Sequence, residues 1–270
     1  MKAFATLLSA ATLAAALAVT AAPASAAVFA SFTPDKSAMD YRWINNGGGN
    51  SGTGGHLFTI TPSNQGSTTA LGVATHFQFL DPSLSSLGFI PTTFTLDASA
   101  TSGHPASVNN AGVFTQTNVD GHFSFVYSGA TTANFNGSGI TLTHGQNLLS
   151  GVFTDAWIQG AGGSGSFNLA AINGGSLTMN SSLENFTHAI AGSEEFAMNL
   201  LAASPAFGAN GCPLGGGNCT KAEKNFRANG GGNFSFSSSA PEPGTWALMI
   251  VGFGGMGAMV RRRRTAAAAA

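Results

Sequence analysis

Residues 113–127, VFTQTNVDGHFSFVY, decide the predicted fold of this chain. Apolar and polar residues alternate on both sides of Asp120-Gly121, as they do in strands that bury one face. An Asp-Gly pair between two such runs predicts a two-residue hairpin, because a type I′ turn needs positive φ at both central residues. The stretch therefore predicts two antiparallel strands joined by a tight turn at Asp120-Gly121.

Alternating segments of the same kind recur along the chain and are separated by Gly-rich breaks. Several short strands at fairly regular spacing are typical of a sandwich or a barrel, and not of alternating strands and helices. The sequence predicts an all-β fold, a single β-sandwich-like domain of the jelly-roll or Ig-like kind. Further strands are predicted at residues 27–32, 56–61, 75–79, 94–98, 135–143, 151–159, 166–172, 176–180 and 233–237.

Residues 194–201, EEFAMNLL, fit two kinds of element. As a helix they would be capped by Ser193 and would carry acidic residues in the first turn. As a strand they would place Phe196, Met198 and Leu200 on one face. The neighbouring segments are strands, and the strand is therefore the favoured prediction.

The composition is that of a folded protein with few charges. Only 8% of the 270 residues are charged, and 21 are Phe and 37 are Gly. This apolar content is too high for a disordered chain. Residues 27–240 carry five basic and ten acidic residues, a net charge of −5. A mildly acidic domain argues against nucleic acid as a partner, since neutralising phosphates requires a basic face.

The amino terminus has the features of a secretory signal. Lys2 precedes an apolar run over residues 3–22, and Ala24-Ser25-Ala26 provides small residues where signal peptidase reads them. We expect residues 1–26 to be removed by cleavage between Ala26 and Ala27. The remaining passenger, residues 27–240, is long enough to bury its own core.

The carboxyl terminus combines a rigid turn, a short apolar segment and a basic cluster. Residues 245–260 contain no charge, and as a helix they would span about 24 Å at ~1.5 Å per residue. A bilayer needs roughly 20 residues, so a short transmembrane helix and a marginal anchor are predicted. The basic cluster holds its end in the cytoplasm and leaves the passenger outside. That cluster consists of Arg261, Arg262, Arg263 and Arg264.

These features resemble the PEP-CTERM sorting signal over residues 240–264, in the variant with Trp-Ala after the Pro-Glu-Pro. The resemblance implies export, a transient inner-membrane intermediate in a Gram-negative bacterium, and processing by an exosortase near Pro-Glu-Pro. It also implies an association with exopolysaccharide and biofilm formation. Residues 265–270, Thr followed by five Ala, extend beyond the basic cluster where such signals usually end. The motif residues are Pro241, Glu242, Pro243, Trp246 and Ala247.

Cys212 and Cys219 are the two cysteines of the chain, and a Gly-rich segment separates them. In an exported protein this arrangement predicts a disulfide bond. No His or further Cys flanks the pair in the pattern of a metal site.

No catalytic, cofactor or metal site is predicted. Asp97, Asp120 and Asp155 could meet in space, but their spacing does not select an acid/base pair. Residues 118–121 could hold calcium, although a plain hairpin accounts better for them. The Gly-rich residues 45–55 lack the Lys-Ser/Thr of a phosphate loop, and we expect a loop that is mobile or ordered by a ligand. The six histidines occur singly: His56, His76, His104, His122, His144 and His188.

A carbohydrate-binding face is a second functional class. Exposed aromatic rings can stack on sugars while Asn, Asp and Gln bind hydroxyl groups, and the candidates are Trp43, Tyr127 and Trp157. The alternation of residues 153–157 places Trp157 on the face of Phe153, and the core is the favoured location for this Trp.

The sequence thus predicts an exported, non-enzymatic cell-surface or matrix protein that an exosortase processes, associated with exopolysaccharide. Its expected partners are signal peptidase, the exosortase, the inner membrane and polysaccharide. A carbohydrate-binding β-sandwich module is the alternative, and a secreted hydrolase with a spatially assembled site is the second alternative.

Overall fold

The computed structural model describes residues 27–35, 38–45, 54–101, 104–131, 135–170, 175–183, 194–209, 219–221 and 223–236. Within these ranges the chain forms strands β1–β14 and two single turns of 3-10 helix, Ser85–Leu87 and Phe135–Gly137. The strands are β1 Ala27–Pro34, β2 Tyr41–Asn45, β3 Gly55–Thr59, β4 Val73–Phe79, β5 Ile90–Ala100, β6 Ala106–Val108, β7 Phe114–Tyr127, β8 Asn147–Ala161, β9 Ser164–Ala170, β10 Ser176–Asn180, β11 Glu194–Ser204, β12 Cys219–Lys221, β13 Phe226–Asn229 and β14 Gly232–Phe236. The all-β prediction is confirmed, and residues 194–201 belong to a strand.

The hydrogen-bonded pairings close on themselves. Following neighbours from β5 leads through β7, β8, β9, β11, β14, β1 and β4 and back to β5, always antiparallel. Eight strands enclose an interior just wide enough to be filled by side chains. The described strands therefore form one closed sheet around one core, and not the two separate sheets of the predicted jelly-roll or Ig-like sandwich.

Two long strands change partners along their length and create forks in the sheet. The first half of β5 pairs with β4 and its second half with β3. The first half of β11 pairs with β14 and its second half with β13, and β13 in turn pairs with β2. Residues 230 and 231 connect β13 and β14 at this fork, and Gly230 is buried there.

Phenylalanine rings from opposite sides of the closed sheet fill the core. The ring of Phe125 on β7 lies 4.9 Å from that of Phe32 on β1, although these strands are not neighbours. Phe234 on β14 lies 4.5 Å from Phe196 and 5.0 Å from Phe123. Ring pairs at such distances stabilise a core beyond the area they bury.

The hairpin predicted at Asp120-Gly121 is wrong. Both residues lie inside β7, which runs unbroken between β5 and β8, and Gly121 faces Ala98 on β5. A Cβ on Gly121 would lie 2.3 Å from the carbonyl oxygen of Asp97. The glycine is therefore needed for close approach of two strands and not for a turn. Positive φ occurs instead at Asn118, where a bulge interrupts the register.

Two further predictions fail for local reasons. Residues 135–143 do not form a strand, and Gly137 and Gly139 adopt positive φ there. Trp157 does not share the buried face of Phe153, because Asp155 has φ of 56° and its bulge shifts the alternation by one residue. Beyond the bulge Ala156 and Ile158 point inward, and Trp157 lies partly exposed on the outer face.

Gly230→Ala is expected to destabilise the protein by about 1–3 kcal/mol, because a Cβ there would lie 1.8 Å from the carbonyl oxygen of Asn199. Urea unfolding of the passenger measures the effect. Gly66→Ala is the matched control, since a Cβ at that exposed glycine meets nothing within 4 Å and should change stability by under about 0.5 kcal/mol. Equal stability of the two variants would contradict the close packing at the fork.

Candidate functional site

A groove of about 730 Å³ opens on the outer face of the sheet at the fork between β13 and β14. Strands β1, β9 and β11 supply the rest of its lining. We call it the amide groove because four asparagines line it, together with three hydroxyl side chains. These residues are Asn168, Asn199, Asn229, Asn233, Ser31, Thr33 and Ser166.

Small residues make the surface concave. Gly230, Gly231 and Gly232 line the groove and have no side chain, and Ala197 lies beside them on β11. A Cβ on Gly231 would lie 2.5 Å from the carbonyl oxygen of Phe32, and one on Gly232 equally close to that of Ala197. The backbones of β1, β11 and the connection between β13 and β14 are thus packed too closely for larger residues.

Two of the four amides are fixed by hydrogen bonds. The Oδ1 atom of Asn199 accepts the backbone N–H of Gly231 at 2.6 Å, and the Nδ2 atom of Asn168 donates to the hydroxyl of Ser166 at 2.6 Å. Within the part of the chain that the structure describes, the side chains of Asn229 and Asn233 form no hydrogen bond. Each amide carries both donors and an acceptor, so the groove offers both to a ligand.

Trp157 lies on β8, one strand beyond the residues that line the groove. It lies directly across from Asn168 in the pairing of β8 with β9, and its side chain is partly exposed. The bulge before it is held by Asn118, whose Nδ2 atom donates to the Asp155 carboxylate at 3.2 Å. The Asp155 backbone N–H donates to the Asp120 carboxylate at 2.9 Å. An aromatic surface therefore adjoins a polar groove.

The groove is close to neutral. Its described lining includes no Lys, Arg or His, and Asp35 is the single charged residue in it. Such a surface gives no electrostatic attraction to a phosphate or another multiply charged ligand. It suits an uncharged ligand that presents hydroxyl groups.

The three aromatic residues that the sequence offers for carbohydrate stacking differ in solvent exposure. Trp43 and Tyr127 are buried, with 0% and 2% exposure, so neither can stack on a ligand and both predictions are wrong. Each points inward because it occupies an inner position of its strand. Trp157, which the sequence predicts to lie in the core, is the one of the three that is partly exposed.

The three aspartates named from the sequence do not converge. Asp120 and Asp155 meet through the backbone contact described above. Asp97 instead pairs with His56, whose Nε2 atom lies 2.6 Å from the Asp97 carboxylate on the outer face of β3 and β5. No group of three or more His, Cys, Asp or Glu side chains that could hold a metal occurs among the described residues.

Two acidic side chains are buried away from the groove. Burial raises the pKa of Asp40 to about 6, and it raises the pKa of Glu223 well above its usual range. Neither carboxylate oxygen of Glu223 has a hydrogen-bond partner among the described residues. Because the charged forms are poorly solvated, both groups favour protonation in the folded state.

The free energy of unfolding of Asp40→Asn, relative to that of the wild type, is expected to increase as pH rises from 4 to 7. The pKa of Asp40 is about 6 in the fold and ~3.9 in an unfolded chain, so protons bind more tightly to the folded state. The stability that protonated Asp40 contributes to the wild type is fully present below about pH 4 and is lost as pH rises through 6. Urea unfolding at several pH values measures the difference, and a difference that is constant across this range would contradict the assignment.

Several predicted features lie outside the described residues. These are the signal segment with Ala26, the partner cysteine Cys212, loop residues 46–53, and the tail from residue 237 onward. The disulfide between Cys212 and Cys219 therefore stays a prediction. Within the described ranges, no helix has the length and hydropathy required to span a bilayer.

Comparison with known proteins identifies the tail and nothing else. Residues 239–264 match the family of the PEP-CTERM protein-sorting motif. The chain thus carries the sorting signal that its sequence resembles, and the signal implies export, a membrane-anchored intermediate and processing by an exosortase. No curated protein and no solved structure matches the chain.

Proposed function

We propose that this protein is a non-enzymatic component of the cell surface or extracellular matrix that binds polysaccharide in the amide groove. The leader and the sorting tail deliver the passenger through the inner membrane, with the passenger in the periplasm before release to the surface. The observation that carries the proposal is an asparagine-lined groove, close to neutral, whose residue Asn168 pairs across strands with the partly exposed Trp157.

The chemistry of the groove matches that of a sugar chain. A sugar hydroxyl both donates and accepts a hydrogen bond, and asparagine side chains do the same. The apolar faces of sugar rings pack on aromatic side chains, which Trp157 provides. A concave site with a few placed polar groups is the usual form of a small-ligand site.

Trp157→Ala is expected to weaken binding of the producing strain's purified exopolysaccharide about tenfold. Loss of one aromatic contact costs roughly 1.4 kcal/mol, which is a factor of ten in Kd. Titration calorimetry of the passenger, residues 27–240, gives the Kd. Residues Ala26–Ser237 form a compact unit of their own, which makes this fragment suitable.

Two further variants locate the binding site. Ala197→Trp should abolish binding, because a bulky side chain would fill the centre of the groove. Asn180→Ala should leave the Kd unchanged, since Asn180 is an exposed asparagine on β10 outside the groove. If the wild-type passenger does not bind the polysaccharide, or if Ala197→Trp binds as well as the wild type, the proposed function is wrong.

A secreted hydrolase is the competing candidate, and one observation favours it. His56 is paired with Asp97 and lies across from Ser99 in the register of β3 and β5. Together these are the three side-chain types of a nucleophile, a base and an orienting acid. Our proposal predicts no release of reducing ends when the passenger is incubated with the exopolysaccharide. Release that is lost in Ser99→Ala would support the hydrolase instead.

A further inference from the structure

Two rows of side chains cross the outer face of the sheet at right angles to its strands. In the first row, the cross-strand partners follow one another over six strands, from β8 to β4. This row consists of Trp157, Asn168, Ala197, Asn233, Ser31 and Gln78. The four central residues line the amide groove, and Trp157 and Gln78 lie one strand beyond it on either side. Neighbouring strands lie about 4.8 Å apart, so the row extends roughly 24 Å along the sheet surface.

The second row runs parallel to the first, two residues further along each strand. It contains Gln159, Ser166, Asn199, Gly231, Thr33 and His76, where Gly231 belongs to the connection before β14 and lies next to Thr33. In each row one of the two central positions is occupied by a residue with little or no side chain, Ala197 as the third residue of the first row and Gly231 as the fourth of the second. The surface is therefore depressed at Ala197 and Gly231, and polar side chains on the neighbouring strands lie on both sides of this depression.

The geometry points to an extended, uncharged glycan chain that lies across the strands, from Trp157 toward Gln78. This inference rests on the proposed function and adds the ligand's direction, its minimum length and its charge. One sugar ring stacks on Trp157, and the following rings lie over Asn168, Ala197 and Asn233. Every strand crossed beyond Trp157 except β11 supplies a new polar side chain, and neighbouring strands are about 4.8 Å apart. Longer fragments therefore gain contacts until they reach Gln78.

A neutral groove also predicts how binding responds to salt. With no basic side chain in the described lining, the contacts are hydrogen bonds and ring packing rather than ion pairs. Screening weakens interactions between exposed charges and leaves neutral contacts almost unchanged. Binding should therefore be the same at 0.05 M and ~0.5 M NaCl.

The test uses size-fractionated oligosaccharides from partial hydrolysis of the producing strain's exopolysaccharide and the passenger, residues 27–240. Affinity should rise about tenfold from disaccharide to the longer fragments and then level off, equivalent to roughly 1.4 kcal/mol. Trp157→Ala should weaken binding of every fragment. Gln78→Ala, at the far end of the first row, should weaken binding of the longest fragments alone, by about threefold.

The outcomes separate the two proposals. If no fragment and no intact polysaccharide binds, the proposed function and this inference both fail. If fragments bind with the same affinity at every length, or if Gln78→Ala has no effect at any length, the groove binds sugar but the crosswise chain is wrong. Binding that weakens strongly as the salt concentration rises would contradict the inference that the glycan is uncharged.

Discussion

Replacing Pro241, Glu242 and Pro243 by alanine is expected to leave nearly all of the protein as a full-length form in the inner membrane. The reason is that the exosortase is expected to recognise this turn, which precedes the apolar segment within the matched motif. The apolar segment of residues 245–260 and the arginines would then still hold the chain. Fractionation and immunoblotting of the producing strain compare the full-length form with the processed form.

Thr265→Ala provides the control for this experiment, because it changes a residue just beyond the motif match. It should be processed as the wild type is. If the triple-alanine variant still loses its tail and reaches the outside, the sorting role of Pro-Glu-Pro is wrong.

Phe234→Ala is expected to destabilise the passenger by about 3–5 kcal/mol, the largest effect that we predict for a single substitution. The Phe234 ring is fully buried and lies within 6.2 Å of the rings of Phe32, Phe123 and Phe196. Its strand β14 also closes the sheet between β1 and β11. Equilibrium unfolding in urea gives the change in free energy.

Phe89→Ala is the matched control, since the Phe89 side chain is 60% exposed. Its loss should change stability by about 0.5 kcal/mol or less. A Phe234→Ala variant that is as stable as Phe89→Ala would show that the closed sheet does not depend on this core.

Alternation was sufficient to predict the fold class. Buried and exposed residues alternate in β4, β5 and β11 as the sequence indicates, because one face of each strand packs on the core. Residues 194–201 show why context helps, since their helix-like start did not outweigh the strand pattern. The closure of the sheet could not be predicted, because it depends on pairings between β5 and β7 and between β11 and β14.

The failures come from backbone positions that break the alternation. Positive φ at Asn118 and Asp155 shifts the face that β7 and β8 present. Asn and Asp tolerate this conformation, but they also occur in regular strands, so their presence does not locate the bulges. Because of this shift, Trp157 lies on the outer face beside Asn168 and not in the core, where the sequence predicts it. Asp120-Gly121 has the composition of a turn, but the close approach of β5 requires the glycine within a strand.

The amide groove was not found from the sequence because its asparagines are far apart along the chain. Asn168, Asn199 and Asn233 occupy outer positions on β9, β11 and β14. A signal did exist for Asn168 and Asn199, since each stands between two buried apolar residues as the polar member of an alternating run, whereas Asn233 follows Gly232. Only the register of these strands shows that they adjoin one another and Trp157.

The first and last strands of the closed sheet are neighbours, with Ala27 opposite Phe236. The predicted signal segment precedes Ala27 and the matched sorting motif follows Phe236, so both are connected to the domain through neighbouring strands.

The central claim is that the amide groove binds polysaccharide, and NMR of the isotope-labelled passenger tests it most directly. Titration with the exopolysaccharide should shift the indole N–H signal of Trp157 and the side-chain amide signals of Asn168, Asn199 and Asn233, and it should leave those of Trp43 and Asn180 unchanged. Shifts confined to other parts of the surface, or no shifts at saturating polysaccharide, would contradict the claim.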